Sequence, residues 1–267
     1  MKFVAKLARA IRKNNSRLCV GLDPDPALMP EGLDVFEFNK AIIAATADLI
    51  CAYKPNIAFY EALGPAGLEA LQRTREAIPD DIPVIIDAKR GDIGNTARAY
   101  ARSLFDYYHF DAVTASPYLG RDSLEPFINY EDKGVFVLCR TSNAGAVDFQ
   151  SLACETEDGR RMLFEVVAAK VAKWNTAGNL GLVVGATYPE ELKTIRERYP
   201  EMPILIPGVG AQGGALEPVV KYGMDAKAER TLINSSRQII YASRGRDFAA
   251  AARKAAQELR DRINGFL

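Results

Sequence analysis

Short apolar runs alternate with longer amphipathic stretches along almost the whole chain. The runs LCVGL (18–22), AYKPNIAF (52–59), PVIIDAK (83–89) and DAVTASP (111–117) have strand length and bounds, as do GVFVLCRT (134–141), LGLVVGA (180–186), PILIPGVG (203–210) and RTLINSSR (230–237). Between them, 38–51, 65–78, 94–107, 159–177, 189–199 and 247–265 carry apolar residues at helical spacing, and a further helix is expected to begin near Gly214. The N-terminus predicts an amphipathic helix leading into the first strand. Several runs are apolar on both faces. That suits strands covered by helices on one side and by a packed interior on the other. About eight strands in strand-then-helix order predict one α/β domain over 1–267, a (β/α)8 TIM barrel. A doubly wound open sheet is the alternative. No linker or solenoid repeat breaks the pattern. Residues 143–160 form the longest irregular segment.

Composition narrows the function classes. Of the 267 residues 48% are hydrophobic and 25% charged, the profile of a soluble globular protein. The 34 basic and 34 acidic residues cancel, so no broad basic field is available for nucleic acid. No apolar run has the length to span a bilayer, and the charged N-terminus does not read as a signal peptide. Cys19, Cys51, Cys139 and Cys154 are scattered without a C-x-x-C pair. They read as reduced thiols of a cytoplasmic protein rather than disulfides or a metal cluster. The one histidine, His109, follows Tyr107 and Tyr108 at a helix end and reads as structural. A single histidine also argues against a histidine-rich zinc site. Trp174 reads as a packing residue.

In a barrel of this kind the chemistry sits at the C-terminal ends of the strands. Asp23 stands after the first strand, Lys54 in the second, Asp87, Lys89 and Asp92 at the third, and Thr141, Ser142 and Asn143 after the fifth. Asp87 and Lys89 are two apart, so on a strand they face the same side. A plain structural ion pair is one reading. Lys54 and Asp92 support another, an alternating array of two lysines and two carboxylates in which the carboxylates keep the lysines protonated. PGVGAQGG (207–214) could bring backbone N–H groups to a phosphate, although alone it is equally a plain turn. Phosphate sites in such barrels commonly follow strands seven and eight, where Arg237 could complete the clamp.

VIIDAKRGDIGNTA resembles the D-x-K-x-x-D-I signature of the orotidine 5′-phosphate decarboxylases. The resemblance extends over the whole chain through Asp23, Lys54, PGVGAQGG and Arg237, and RTSNAGAVDFQ (140–150) is similar to the longer bacterial branch of that family. It implies decarboxylation of orotidine 5′-phosphate to uridine 5′-phosphate and CO2 in pyrimidine biosynthesis, with no cofactor and no metal. It also implies a homodimer with shared active sites, in which Asp92 reaches in from the partner subunit, followed by Ile93 and Thr96. Lys54, Asp87, Lys89 and Asp92 match the charged network. Asp23 and Thr96 match ribose contacts, Ser142 a pyrimidine contact, and Gln212 and Arg237 phosphate contacts. Losing CO2 from C6 leaves electron density in the ring plane, outside the reach of the π system. Protonated Lys89 is expected to stabilise and then protonate that carbanion, with Asp87 beside the departing carboxylate and Asp92 and Lys54 holding Lys89 in place. The competing readings are a related sugar-phosphate decarboxylase or aldolase on the same barrel, and a non-catalytic nucleotide-binding protein. Lys54 disfavours a metal-dependent relative, since it places a cation where an acid would bind the metal. Clustered carboxylates disfavour a Schiff-base lysine, which needs a depressed pKa. A mere binder gains little from clustering costly buried charges.

Overall fold

The computed structural model describes residues 1–157, 159–209 and 215–267. Helix α1 (Phe3–Asn14) precedes strand β1 (Leu18–Leu22), followed by α2 (Val35–Thr46), β2 (Ala52–Pro55), α3 (Ile57–Glu61), α4 (Gly64–Ala77) and β3 (Ile85–Arg90). Then come α5 (Gly94–Arg102), which ends in a π-helical turn (Ser103–Tyr107), β4 (Ala112–Ala115), α6 (Arg121–Ile128) and β5 (Gly134–Arg140). A short 3-10 turn (Ala144–Asp148) and an antiparallel pair, β6 (Ala153–Thr156) and β7 (Gly159–Met162), lead to α7 (Leu163–Trp174). The chain closes with β8 (Leu180–Val184), α8 (Pro189–Arg198), β9 (Ile204–Pro207), α9 (Leu216–Gly223), β10 (Thr231–Ser235), α10 (Arg237–Ile240) and α11 (Phe248–Asn264). Eight parallel strands form one sheet in the order β2-β1-β10-β9-β8-β5-β4-β3. Parallel bridges Tyr53–Val84 and Asn56–Asp87 join its two ends. The result is the expected α/β barrel rather than an open sheet.

The two-residue period of each strand sorts its side chains into two cores. Leu18, Val20, Val84, Ile86, Val113, Val135, Val137, Leu182, Ile204 and Ile233 face outward into the layer shared with the helices. Cys19, Ala52, Ile85, Ala112, Phe136, Val183, Leu205 and Leu232 fill the inside of the barrel. This explains strands apolar on both faces. Helix α1 closes the lower end. Its Phe3, Leu7 and Ile11 join the inner core, and the Phe3 ring meets Phe136 edge-on with centroids 5.6 Å apart. Gly134 permits that approach, because a Cβ there would lie 2.6 Å from the Phe3 ring. Lys6 ties the same helix to Asp111 at 2.8 Å. With the lower end filled, the polar side chains one layer up face only the mouth.

Three boundaries differ from the sequence reading. The run at 52–59 stops as a strand at Pro55. Asn56 then caps α3, its side-chain oxygen accepting from Ala58 N–H at 3.2 Å. The irregular stretch at 143–160 contains β6, and 159–162 forms β7 rather than the start of α7. The last barrel strand ends at Ser235, so Arg237 opens a short helix instead of ending the strand. The chain has no helix among the described residues that is long and apolar enough to cross a membrane.

Candidate active site

The inward-facing positions that carry apolar side chains below carry polar ones at the mouth. One step up from Ala52 is Lys54, from Ile85 Asp87, from Ala112 Thr114, and from Leu232 Asn234. They surround a cavity of about 500 Å³, whose wall also includes Asp23, Lys89, Thr141, Ser142, Pro207 and Arg237. An outer groove of about 460 Å³ lies against α2 and α4 and is lined mainly by apolar side chains such as Met29, Leu33, Phe36 and Leu63. It holds nothing like the charged group at the mouth.

Asp87 is the centre of that group. Lys54 Nζ donates to its Oδ2 at 2.9 Å, and Lys89 Nζ donates to its Oδ1 at 2.6 Å. The Thr114 hydroxyl donates to Oδ1 at 2.9 Å and accepts from the Lys89 backbone N–H at 3.0 Å. Lys89 stands at φ +49°, and the β3–β4 register shifts between Ile86 and Arg90. Regular strand alternation therefore does not bring Lys89 beside Asp87. A left-handed residue at the strand end does so, with Thr114 holding the backbone there.

Burial disfavours the Asp87 charge, but Lys54 and Lys89 outweigh it and hold the carboxyl well below the usual carboxylate range. Burial likewise works against the Lys54 charge, while Asp87 and then Asp23 overcome it and raise the ammonium above the ordinary lysine value. The Lys54 side chain is 5% exposed and that of Lys89 51%. One lysine is thus a buried anchor, and the other presents its ammonium to the mouth. Asp23 keeps a buried carboxylate oxygen, Oδ1, with no hydrogen-bond partner. Its backbone carbonyl accepts from the Tyr241 hydroxyl at 3.0 Å. A Cβ at Gly21 would overlap the Ser236 hydroxyl, so the glycine lets the loop after β10 close on β1.

The structure brings together Asp23, Lys54, Asp87, Lys89, Ser142 and Arg237 around one cavity. It does not bring Asp92 to the other three charges of its own chain. The Asp92 carboxylate instead accepts from Ile93 N–H at 2.7 Å. The four-membered array expected from the residues is therefore three-membered within one chain. Ile93 is 61% exposed, and neither it nor Thr96 lines the cavity. Gln212 lies outside the described residues. Sequence reasoning missed Thr114 and Asn234. Each is a polar residue inside an apolar strand, two positions from an inward apolar one, and that signal could have found them. It also missed Gln150, which lines the cavity from the segment after β5. No cluster of three or more His, Cys, Asp or Glu residues suited to a metal ion occurs among the described residues.

Barrel, mouth and charge pattern define a small-molecule enzyme of the α/β-barrel class. Residues 16–255 match the model of the orotidine 5′-phosphate decarboxylase / HUMPS family, and the chain belongs to that family. Over 266 residues it is 57% identical to the orotidine 5′-phosphate decarboxylase of Dehalococcoides mccartyi, covering 100% of this chain and 98% of the relative. The enzyme of that name from Herpetosiphon aurantiacus is 55% identical over 261 residues, 96% of this chain and 95% of the relative. The Leishmania donovani OMP decarboxylase structure superposes with a TM-score of 0.87 at 42% identity, covering 100% of this chain and 99% of that one.

Proposed function

We propose that this chain, folded as one domain, decarboxylates orotidine 5′-phosphate to uridine 5′-phosphate and CO2 in pyrimidine biosynthesis. The observation that carries the reading is the Asp87 carboxylate with Lys54 on one oxygen and Lys89 on the other, inside the mouth of a barrel of this family. The substrate's C6 carboxylate would sit by Asp87 and the exposed Lys89 ammonium. As the C6–CO2 bond breaks, its electron pair stays on C6 in the ring plane. The Lys89 ammonium stabilises that charge and then delivers a proton to C6. Lys54 keeps Asp87 ionised, and Asp87 aims Lys89. The charges are in place before the reaction, so little reorganisation is needed as the carbanion forms. Asp23, with its unpartnered buried oxygen, suits a ribose hydroxyl. Ser142 would meet the pyrimidine, and Arg237, with Gln212, the phosphate.

The site is completed in a homodimer. Asp92 lies outside its own cavity, and exposed Ile93 stands on the loop after β3, while the loop after β4 exposes Tyr118 and Leu119. Such apolar surface suits a subunit interface. Asp92, Ile93 and Thr96 would then enter the cavity of the second copy. Three of the four cysteines are buried and all are free, which favours the reducing cytoplasm. The test is an ultraviolet assay that follows loss of the orotate chromophore. Turnover without added cofactor is expected, and a folded chain with no turnover overturns the reading.

A further inference from the structure

We infer that Tyr241 is a positioning residue whose hydroxyl fixes the spacing between the ribose contact of Asp23 and the phosphate contact of Arg237, an inference that rests on the decarboxylase reading above. Asp23 and Arg237 line one cavity from distant parts of the chain, the loop after β1 and the start of α10. Tyr241 bonds to both. Its backbone N–H donates to Arg237 O at 3.2 Å and closes the single turn of α10. Its hydroxyl meets the other loop twice. Asp25 N–H donates to the phenol oxygen at 2.6 Å, and the phenol donates to Asp23 O at 3.0 Å. A backbone N–H can only donate and a carbonyl can only accept, so the one phenol proton belongs to Asp23. Burial above all, opposed by the Asp25 N–H, leaves this phenol pushed up to about 12, so the proton stays in place at neutral pH.

The ring is held independently of the hydroxyl. It stacks on buried Phe38 with centroids 5.8 Å apart, and Phe38 stacks in turn on Phe248 at 5.3 Å. The loop that the hydroxyl grips is a formed turn. Asp25 O accepts from Leu28 N–H at 2.8 Å, and the Asp25 carboxylate accepts from Ala27 N–H at 3.0 Å. The buried Asp23 Oδ1 has no hydrogen-bond partner, so the backbone anchor bears on where that oxygen stands. Fixed spacing matters to a ligand that engages both ends. A nucleotide held at Arg237 must find Asp23 at a set distance. A nucleoside without the phosphate can follow Asp23 wherever it stands.

Titration calorimetry with uridine 5′-phosphate, and with uridine by displacement, tests the inference on binding alone. Tyr241→Phe keeps the ring on Phe38 and removes only the hydroxyl. It is expected to weaken nucleotide binding by about tenfold and uridine binding by less than about twofold. In an Asp23→Ala chain the same substitution is expected to cost the nucleotide less than about twofold, because no carboxylate remains to be placed. Equal losses for both ligands, or a tenfold loss repeated in the Asp23→Ala chain, would mean that Tyr241 serves the fold alone and overturn the inference. Nucleotide binding unchanged in Tyr241→Phe overturns it as well. A wild type that binds the nucleotide without turning over orotidine 5′-phosphate overturns the decarboxylase reading, while the same ratios still decide the role of Tyr241. A wild type that does not bind the nucleotide overturns both.

Discussion

Lys89 places its ammonium 2.6 Å from Asp87 Oδ1 from a backbone at φ +49°, where a residue other than glycine rarely sits. Such strain persists where surrounding contacts hold it, here the Thr114 hydroxyl on the Lys89 N–H. Lys89→Ala is expected to abolish decarboxylation, by at least about a thousandfold or ~4 kcal/mol of barrier. The half-exposed side chain contributes little to folding, so the unfolding midpoint should move by only about 2–4 °C. Uridine 5′-phosphate should still bind. Activity within tenfold of wild type would remove Lys89 from the chemistry.

Lys54 has the opposite character. Its buried ammonium neutralises a buried carboxylate, so Lys54→Met leaves Asp87 with one partially exposed counter-charge. Loss of about 3–5 kcal/mol of stability is expected in urea unfolding, with activity falling too. Asp87→Asn introduced into the Lys54→Met chain removes the under-compensated charge and should recover part of the stability but none of the activity. An unchanged urea midpoint in Lys54→Met would show that the pair does not act as a buried unit.

Acid should weaken this pair in a defined window. An unfolded aspartate titrates near pH ~3.9, and folded Asp87 titrates lower because Lys54 and Lys89 outweigh its burial. Between the two values the unfolded chain binds more protons. The stability that Asp87 contributes is therefore full above about pH 4 and is lost as pH falls through the folded value. Wild type and Asp87→Asn compared by urea unfolding should show a constant difference from about pH 5 to 8. Below about pH 4 that difference should shrink, by up to ~1.4 kcal/mol per pH unit. A difference that grows on acidification would contradict the depressed value.

The shared site has its own test. Lys89→Ala and Asp92→Asn chains are each expected to be nearly inactive. In a mixed dimer one site carries both defects and the other neither. With free exchange at equal amounts, roughly a quarter of all sites become wild type, and up to that share of activity should return. No recovery, with exchange confirmed by mass spectrometry of differently tagged chains, would mean that each site is built within one chain.

Legibility followed the physical strength of each signal. The barrel strands were readable because each has an apolar outer row, and their order implied the topology. Asp87 and Lys54 were readable as charges ending apolar runs. The pairing of Asp87 with Lys89 was expected from strand alternation but arises from a left-handed residue, which the sequence pattern does not encode. Strands β6 and β7 went unseen because their side chains are exposed or half-buried, leaving no apolar row to register. Thr114 was passed over because a threonine in a strand looks like ordinary β-propensity, and only its place two residues beyond inward Ala112 marks it. Gln150 was hidden because its place at the cavity depends on a meeting with Thr141 nine residues away, across a segment without periodicity.

The helix beneath the barrel has a consequence for how the chain is made. Phe3, Leu7 and Ile11 leave the ribosome long before the side chains they pack with, which include Phe136, Leu205 and Leu232. Leu232 is synthesised more than two hundred residues later. During translation the amphipathic N-terminal segment has no floor to form, and its apolar face must wait, exposed or held by a chaperone. Closing the base is therefore one of the last steps of assembly, not one of the first. A bulky substitution at Gly134, where Phe3 must seat, would leave nascent synthesis untouched and fail at that final fit.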